Sequence, residues 1–107
     1  PPATPTLLEY PAPTLLNPPN GYWGSVVTLE WAWPRQLKDN EWFDVQVWQQ
    51  SEQPKGIAWS KEPRYQFGGE GLNKGLYYWR IVVIQARNGR WEKELTPPSE
   101  TRTFNRP

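Results

Sequence analysis

The chain has no cysteine, no methionine and no histidine. Without cysteine there is no disulfide, no thiolate nucleophile and no sulfur-ligated metal, and the redox compartment leaves no mark on the sequence. Without histidine the usual general base and the usual imidazole ligand are missing too, so most enzyme classes lose their working parts. The missing methionine and the proline-rich opening give the expectation that these residues come from a longer or processed protein. Charge of either sign is not in excess: 12 basic and 11 acidic residues are interspersed. There is no basic stripe to neutralise phosphates, and nucleic acid is not an expected partner. No apolar run approaches the ~18 residues of a membrane span, so these residues are expected to insert into no membrane.

What is abundant is proline, 13 residues, and tryptophan, 8 residues. Prolines defeat long helices and large aromatics favour pleated, half-buried surfaces, so the pair points to β structure. A length of 107 residues fits one domain. Seven prolines fall within residues 1–20, and residues 1–11 read as an extended linker that packs little. Leu15 and Leu16 suggest a short first strand, stopped by the turn cluster Asn17-Pro18-Pro19-Asn20-Gly21. From Ser25 to Trp33 the pattern alternates, with Val27, Leu29, Trp31 and Trp33 in one phase. Alternation returns from Trp42 to Gln49, where Phe43, Val45 and Val47 form the core phase. Shorter runs follow at Ile57–Ser60 and Arg64–Phe67, then a glycine corner over 68–75. Leu76–Ala86 is the longest strand expected, and Asn88-Gly89 supplies the positive-φ residues of a tight hairpin. A last strand is expected over Ser99–Phe104, after the Pro97-Pro98 break. About seven strands at roughly ten-residue spacing describe an antiparallel sandwich.

Val27-x-Leu29-x-Trp31, Phe43-x-Val45-x-Val47, Gly75-Leu-Tyr77-Tyr-Trp79-Arg-Ile81 and the closing Pro98-Ser-Glu-Thr-Arg-Thr-Phe104 together resemble a fibronectin type III domain of the bacterial extracellular kind. The resemblance covers about residues 12–105. It implies a seven-stranded immunoglobulin-like sandwich with Trp31 between the sheets. It also implies a corner tyrosine bonded to backbone at Tyr77, with Tyr78 as the neighbouring alternative, and Leu72 as the corner leucine. The corner lacks the family's usual proline, and the sixth strand is apolar in both phases.

For chemistry, the carboxylates Glu30, Asp44, Glu92 and Glu94 could serve a glycosidase only as a pair flanking a cleft, and a small sandwich offers none. Solvated surface carboxylates are the better reading. No Asp/Asn run has calcium spacing, and Gly68-Gly69-Glu70-Gly71 leads into a strand rather than a helix, so no phosphate cradle is expected. Asn88-Gly89-Arg90 resembles short adhesive motifs, but turn chemistry already explains it. No catalytic residue, cofactor or metal is expected.

Trp31, Trp33 and Trp79 are expected inside, and Trp23, Trp42, Trp48, Trp59 and Trp91 on loops or outward phases. The third and sixth strands are neighbours in the family's fold. There Trp42, Trp48, Tyr78, Arg80, Val82 and Ile84 would share an outer face, with Asp44 and Gln46 among them. That mixture suits a protein interface. The leading expectation is therefore a non-catalytic spacer or interaction module of a secreted or cell-surface protein, monomeric in isolation, docking a neighbouring domain or another protein through this face. In a competing reading, Ile57–Trp59 or the chain near Trp91 folds over the patch within the domain. A rival function is carbohydrate binding by stacking on Tyr22, Trp23 and Trp91.

Overall fold

The computed structural model describes residues 10–69 and 71–107, and the described residues form strands, turns and loops with no helix. The strands are β1 Thr14–Asn17, β2 Tyr22–Trp23, β3 Val27–Ala32, β4 Glu41–Gln49, β5 Gly56–Ser60, β6 Arg64–Phe67, β7 Gly75–Arg87, β8 Arg90–Glu94 and β9 Arg102–Arg106. They make two sheets, one ordered β1-β3-β6 and a six-stranded one ordered β2-β9-β7-β4-β5 with β8 also on β7. All pairings are antiparallel except β2 with β9.

Alternation decides what lies between the sheets. Val27, Leu29 and Trp31 from β3 meet Phe43, Val45 and Val47 from β4 and Tyr77, Trp79, Ile81 and Val83 from β7, each at most 6% exposed. Trp31 sets its edge against Phe43, with ring centroids 5.4 Å apart at 77°, the geometry the ring quadrupoles favour. Trp33 lies one residue beyond β3 and is half-buried, closing the end of the core against Phe43 rather than filling it. Pro34 stops the strand before it could do otherwise.

The proline-rich opening expected to pack little falls mainly on residues 1–9, outside the described residues. Tyr10 and Pro11 are described, and both are engaged. Trp33 Nε1 donates to the Pro11 carbonyl at 2.8 Å. Tyr10 meets the Trp33 ring edge-on and has the Arg35 guanidinium 4.0 Å above it.

Two local devices hold the larger sheet. Asn88 and Gly89 both take positive φ, 53° and 74°, as a tight hairpin between β7 and β8 requires. After β8, Pro97 and Pro98 offer no N–H and cannot continue a ladder. The Thr96 and Ser99 hydroxyls accept from the amides of Val83 and Ile81 at 3.1 and 2.8 Å. Leu95 N and Ser99 N donate to the Val83 and Ile81 carbonyls. Buried backbone groups need such partners, which is why Thr96 and Ser99 are themselves buried. At the glycine corner Tyr77 donates its hydroxyl to the Asn73 carbonyl at 2.8 Å. Leu72, expected as the corner leucine, is instead 36% exposed; the Arg106 guanidinium holds its carbonyl, together with that of Gly69. Arg102 reaches from β9 to the carbonyls of Leu15, Leu16 and Pro18, tying one sheet to the other.

Candidate functional site

The register of β4 on β7 builds the outer face of the larger sheet. Opposite one another stand Trp42 and Ile84, Asp44 and Val82, Gln46 and Arg80, Trp48 and Tyr78. Side chains alternate along a strand, so these eight share the face that points away from the smaller sheet. β5 adds Trp59 opposite Asp44 and Gly56 opposite Gln46, and β8 adds Glu94 opposite Ile84 and Trp91 opposite Ala86.

The six residues expected on this face are thus together, but half of them are not available to a partner. Val82 and Ile84 are 0% exposed and Trp48 is 8% exposed. Trp42 and Trp59, tilted together at 6.2 Å, pack over Val82, Ile84 and Ala86. Trp48 stacks on Tyr78 at 5.9 Å and 19°, with the Arg80 guanidinium 5.5 Å from its ring. The expectation of an apolar docking face is therefore corrected at Trp48, Val82 and Ile84, which the domain's own aromatic side chains cover. Trp42, Tyr78 and Arg80 remain half-exposed.

Between the two aromatic pairs runs a polar chain. Arg80 Nε donates to Gln46 Oε1 at 2.6 Å, and Gln46 Nε2 donates to Asp44 Oδ2 at 2.9 Å. Asp44 Oδ1 is buried with no partner among the described residues. Burial holds the Asp44 carboxyl above its ordinary pKa; the Gln46 hydrogen bond opposes this, Glu94 reinforces it and Arg80 opposes it again. Lys61 crosses from the loop after β5 to lie 4.1 Å over the Trp42 ring, and its ammonium donates to the carbonyls of Lys38, Asp39 and Glu41.

Of the other candidate carboxylates Glu94 shares this face with Asp44, and the remaining two lie elsewhere. Glu30 follows the outward phase of β3, on the opposite side of the sandwich, and Glu92 is paired with Arg87 at 3.0 Å. Among the described residues no three His, Cys, Asp or Glu side chains gather as metal ligands would.

The rival aromatic set is exposed: Tyr22 39%, Trp23 66% and Trp91 54%. Trp23 sits beside Asn105, which pairs with Leu76, whereas Trp91 pairs with Ala86. Ten residues of β7 separate those levels, about 33 Å at ~3.3 Å per residue, so they form no single strip. Trp59 does what the competing reading of the sequence gave to the segment Ile57–Trp59, folding over the patch, whereas the roles of Lys61 and Gly56 at this face were not read from the sequence. The available signal was the alternation of Asp44 and Gln46 with Trp42 and Trp48, which leaves a carboxylate between aromatics. Compared with family models, with curated proteins and with solved structures, the chain matches none.

Proposed function

We propose that this chain is a non-catalytic spacer and interaction module, fibronectin type III-like, working in a secreted or cell-surface protein. The observation that carries the reading is where the chain enters and leaves the sandwich. β1 begins opposite Ala32, at the end that holds Trp33, the loop before β4 and the Asn88-Gly89 hairpin. β9 ends opposite Gly75, at the far end of the 13-residue β7. A unit crossed from pole to pole sets a fixed separation between whatever it joins. The family reading is supported by the sheet order: taking β1 with β2 and β8 with β9 as interrupted halves of single strands leaves seven strands, three facing four. The Tyr77 to Asn73 bond fits the corner that the resemblance implies.

The absence of cysteine makes the test direct. Fluorophores on Pro11→Cys and Pro107→Cys should report one narrow transfer efficiency, for a separation of about 40 Å as the length of β7 dictates. A broad distribution or a much shorter distance would sink the spacer reading. Sugar binding keeps one supporting observation, the exposure of Trp23 and Trp91. A glycan array answered by the unmodified chain and lost on Trp23→Ala or Trp91→Ala would move the function there.

A further inference from the structure

Three features meet at one edge of the larger sheet, away from both poles. Among the described residues β5 pairs with β4 alone, so its other edge carries backbone groups that none of them pairs. Asp44, 7% exposed, turns its Oδ1, unpartnered among the described residues, toward Gly56 on that edge strand. A Cβ at Gly56 would stand 2.5 Å from this oxygen, so the carboxylate occupies space that any other residue at 56 would need. Asp44, Gly56, Ile57, Ala58 and Trp59 line one shallow, open pocket there.

The aromatic neighbours indicate what is missing. On this face Trp42 carries the Lys61 ammonium and Trp48 lies beside the Arg80 guanidinium, while among the described residues no cation lies over Trp59. Trp59 and Asp44 are direct cross-strand partners. The nearby cations are committed elsewhere: Arg80 to Gln46, Lys61 to three carbonyls, Lys55 to Glu52 at 2.7 Å. A positive nitrogen satisfies a lone carboxylate oxygen and an open indole face at once.

We infer that this pocket receives a lysine or arginine side chain from a partner polypeptide laid in extended form along the free edge of β5. The edge supplies main-chain hydrogen bonds, as in strand addition generally, and the pocket supplies side-chain selection. Asp44 Oδ1 accepts from the charged nitrogen, and Trp59 walls it. Burial and the charge of Glu94 oppose ionisation of Asp44, Gln46 and Arg80 favour it, and an incoming cation adds to the second group. Binding therefore strengthens as pH rises through the titration of Asp44.

The test is an amide-resolved NMR titration of the whole chain with the peptide acetyl-Thr-Val-Lys-Val-Thr-amide, its arginine counterpart and its glutamine counterpart. Saturable shifts at Gly56–Ser60 and the Trp59 indole are expected with the lysine and arginine peptides. Affinity should fall at least roughly tenfold for the glutamine peptide, and equally for Asp44→Asn, the loss expected for one charge-assisted hydrogen bond. Equal binding of the glutamine peptide overturns the charged site, and needs no variant to fold. Undiminished binding by Asp44→Asn, no shift with any peptide at millimolar concentration, or shifts at this pocket only with neutral oligosaccharides would each overturn it too.

Discussion

Ile81 and Val82 are neighbours on β7, both 0% exposed, and they are buried by different means. Ile81 faces the smaller sheet and shares its cluster with Val27, Leu29 and Trp31 of β3, behind which lies a second layer of backbone. Val82 faces outward, in a small cluster with Ile84 and Ala86 over which, among the described residues, the side chains of Trp42 and Trp59 pack. An interior between two sheets is fixed by both backbones; a cover of indole rings is fixed by rotamers, stacking and cation–π contacts. Equal burial therefore conceals unequal strength, and it also explains why both phases of this strand are apolar.

The contrast can be broken most forcefully at the core. Trp31→Ala should cost roughly 3–5 kcal/mol in a denaturant melt, a large share of the ~5–15 kcal/mol that holds such a domain; an unchanged melt would mean the sheets do not depend on it. A matched pair sharpens the comparison. Ile81→Ala should cost about 2–5 kcal/mol and Ile84→Ala clearly less, about 2 kcal/mol or below, because the indole cover can settle into the gap. Equal losses would show that the aromatic cover is as rigid as a sheet.

Smaller again is the seam beside β7. Ser99→Ala removes the acceptor of the Ile81 amide and should cost about 1–3 kcal/mol, the penalty for a buried donor left unmade. Faster hydrogen exchange at Ile81 would accompany it, and protected exchange would argue against the assignment. The smallest effect has the opposite sign. Asp44→Asn keeps an acceptor for Gln46 and removes an ionised group from a buried place, so the variant should melt slightly higher at neutral pH. Because burial raises the folded pKa of Asp44, the native state binds its proton more tightly than the unfolded chain does. The stability linked to this group is present below the unfolded pKa and lost as pH rises through the folded one. The advantage of the variant should accordingly vanish on acidification; an advantage that grows in acid would reverse the assignment.

The inner architecture was legible because it follows from period-two alternation. Val27, Leu29 and Trp31, then Phe43, Val45 and Val47, announce both strand and face, and Asn88-Gly89 announces its hairpin. That same turn implied a returning strand, yet β8, Arg-Trp-Glu-Lys-Glu, is exposed at every residue and has no pattern to betray it. β2 has two residues, and its pairing with β9 is set by tertiary contact that no local window contains. The grouping of Trp42, Trp48, Tyr78, Arg80, Val82 and Ile84 was legible from phase alone. Their covering by Ile57–Trp59 was legible only as a competing reading, since the choice depends on where the indole of Trp59 lies. Nor does a glycine in a short strand disclose that a carboxylate two strand positions away leans into its empty place.

The Thr96-Pro97-Pro98-Ser99 interruption has a bearing on self-association. Its neighbour, Ile81-Val82-Val83-Ile84, is the stretch of the chain best suited to cross-β stacking: apolar, uncharged, rich in β-branched residues and free of proline. A regular last strand would leave an amide ladder there whenever the edge frayed, ready to accept a strand from another molecule. Two prolines lack the donors to propagate such a ladder, and the flanking hydroxyls keep the native amides satisfied without a full strand. The break in the sheet thus guards its most aggregation-prone segment during partial unfolding.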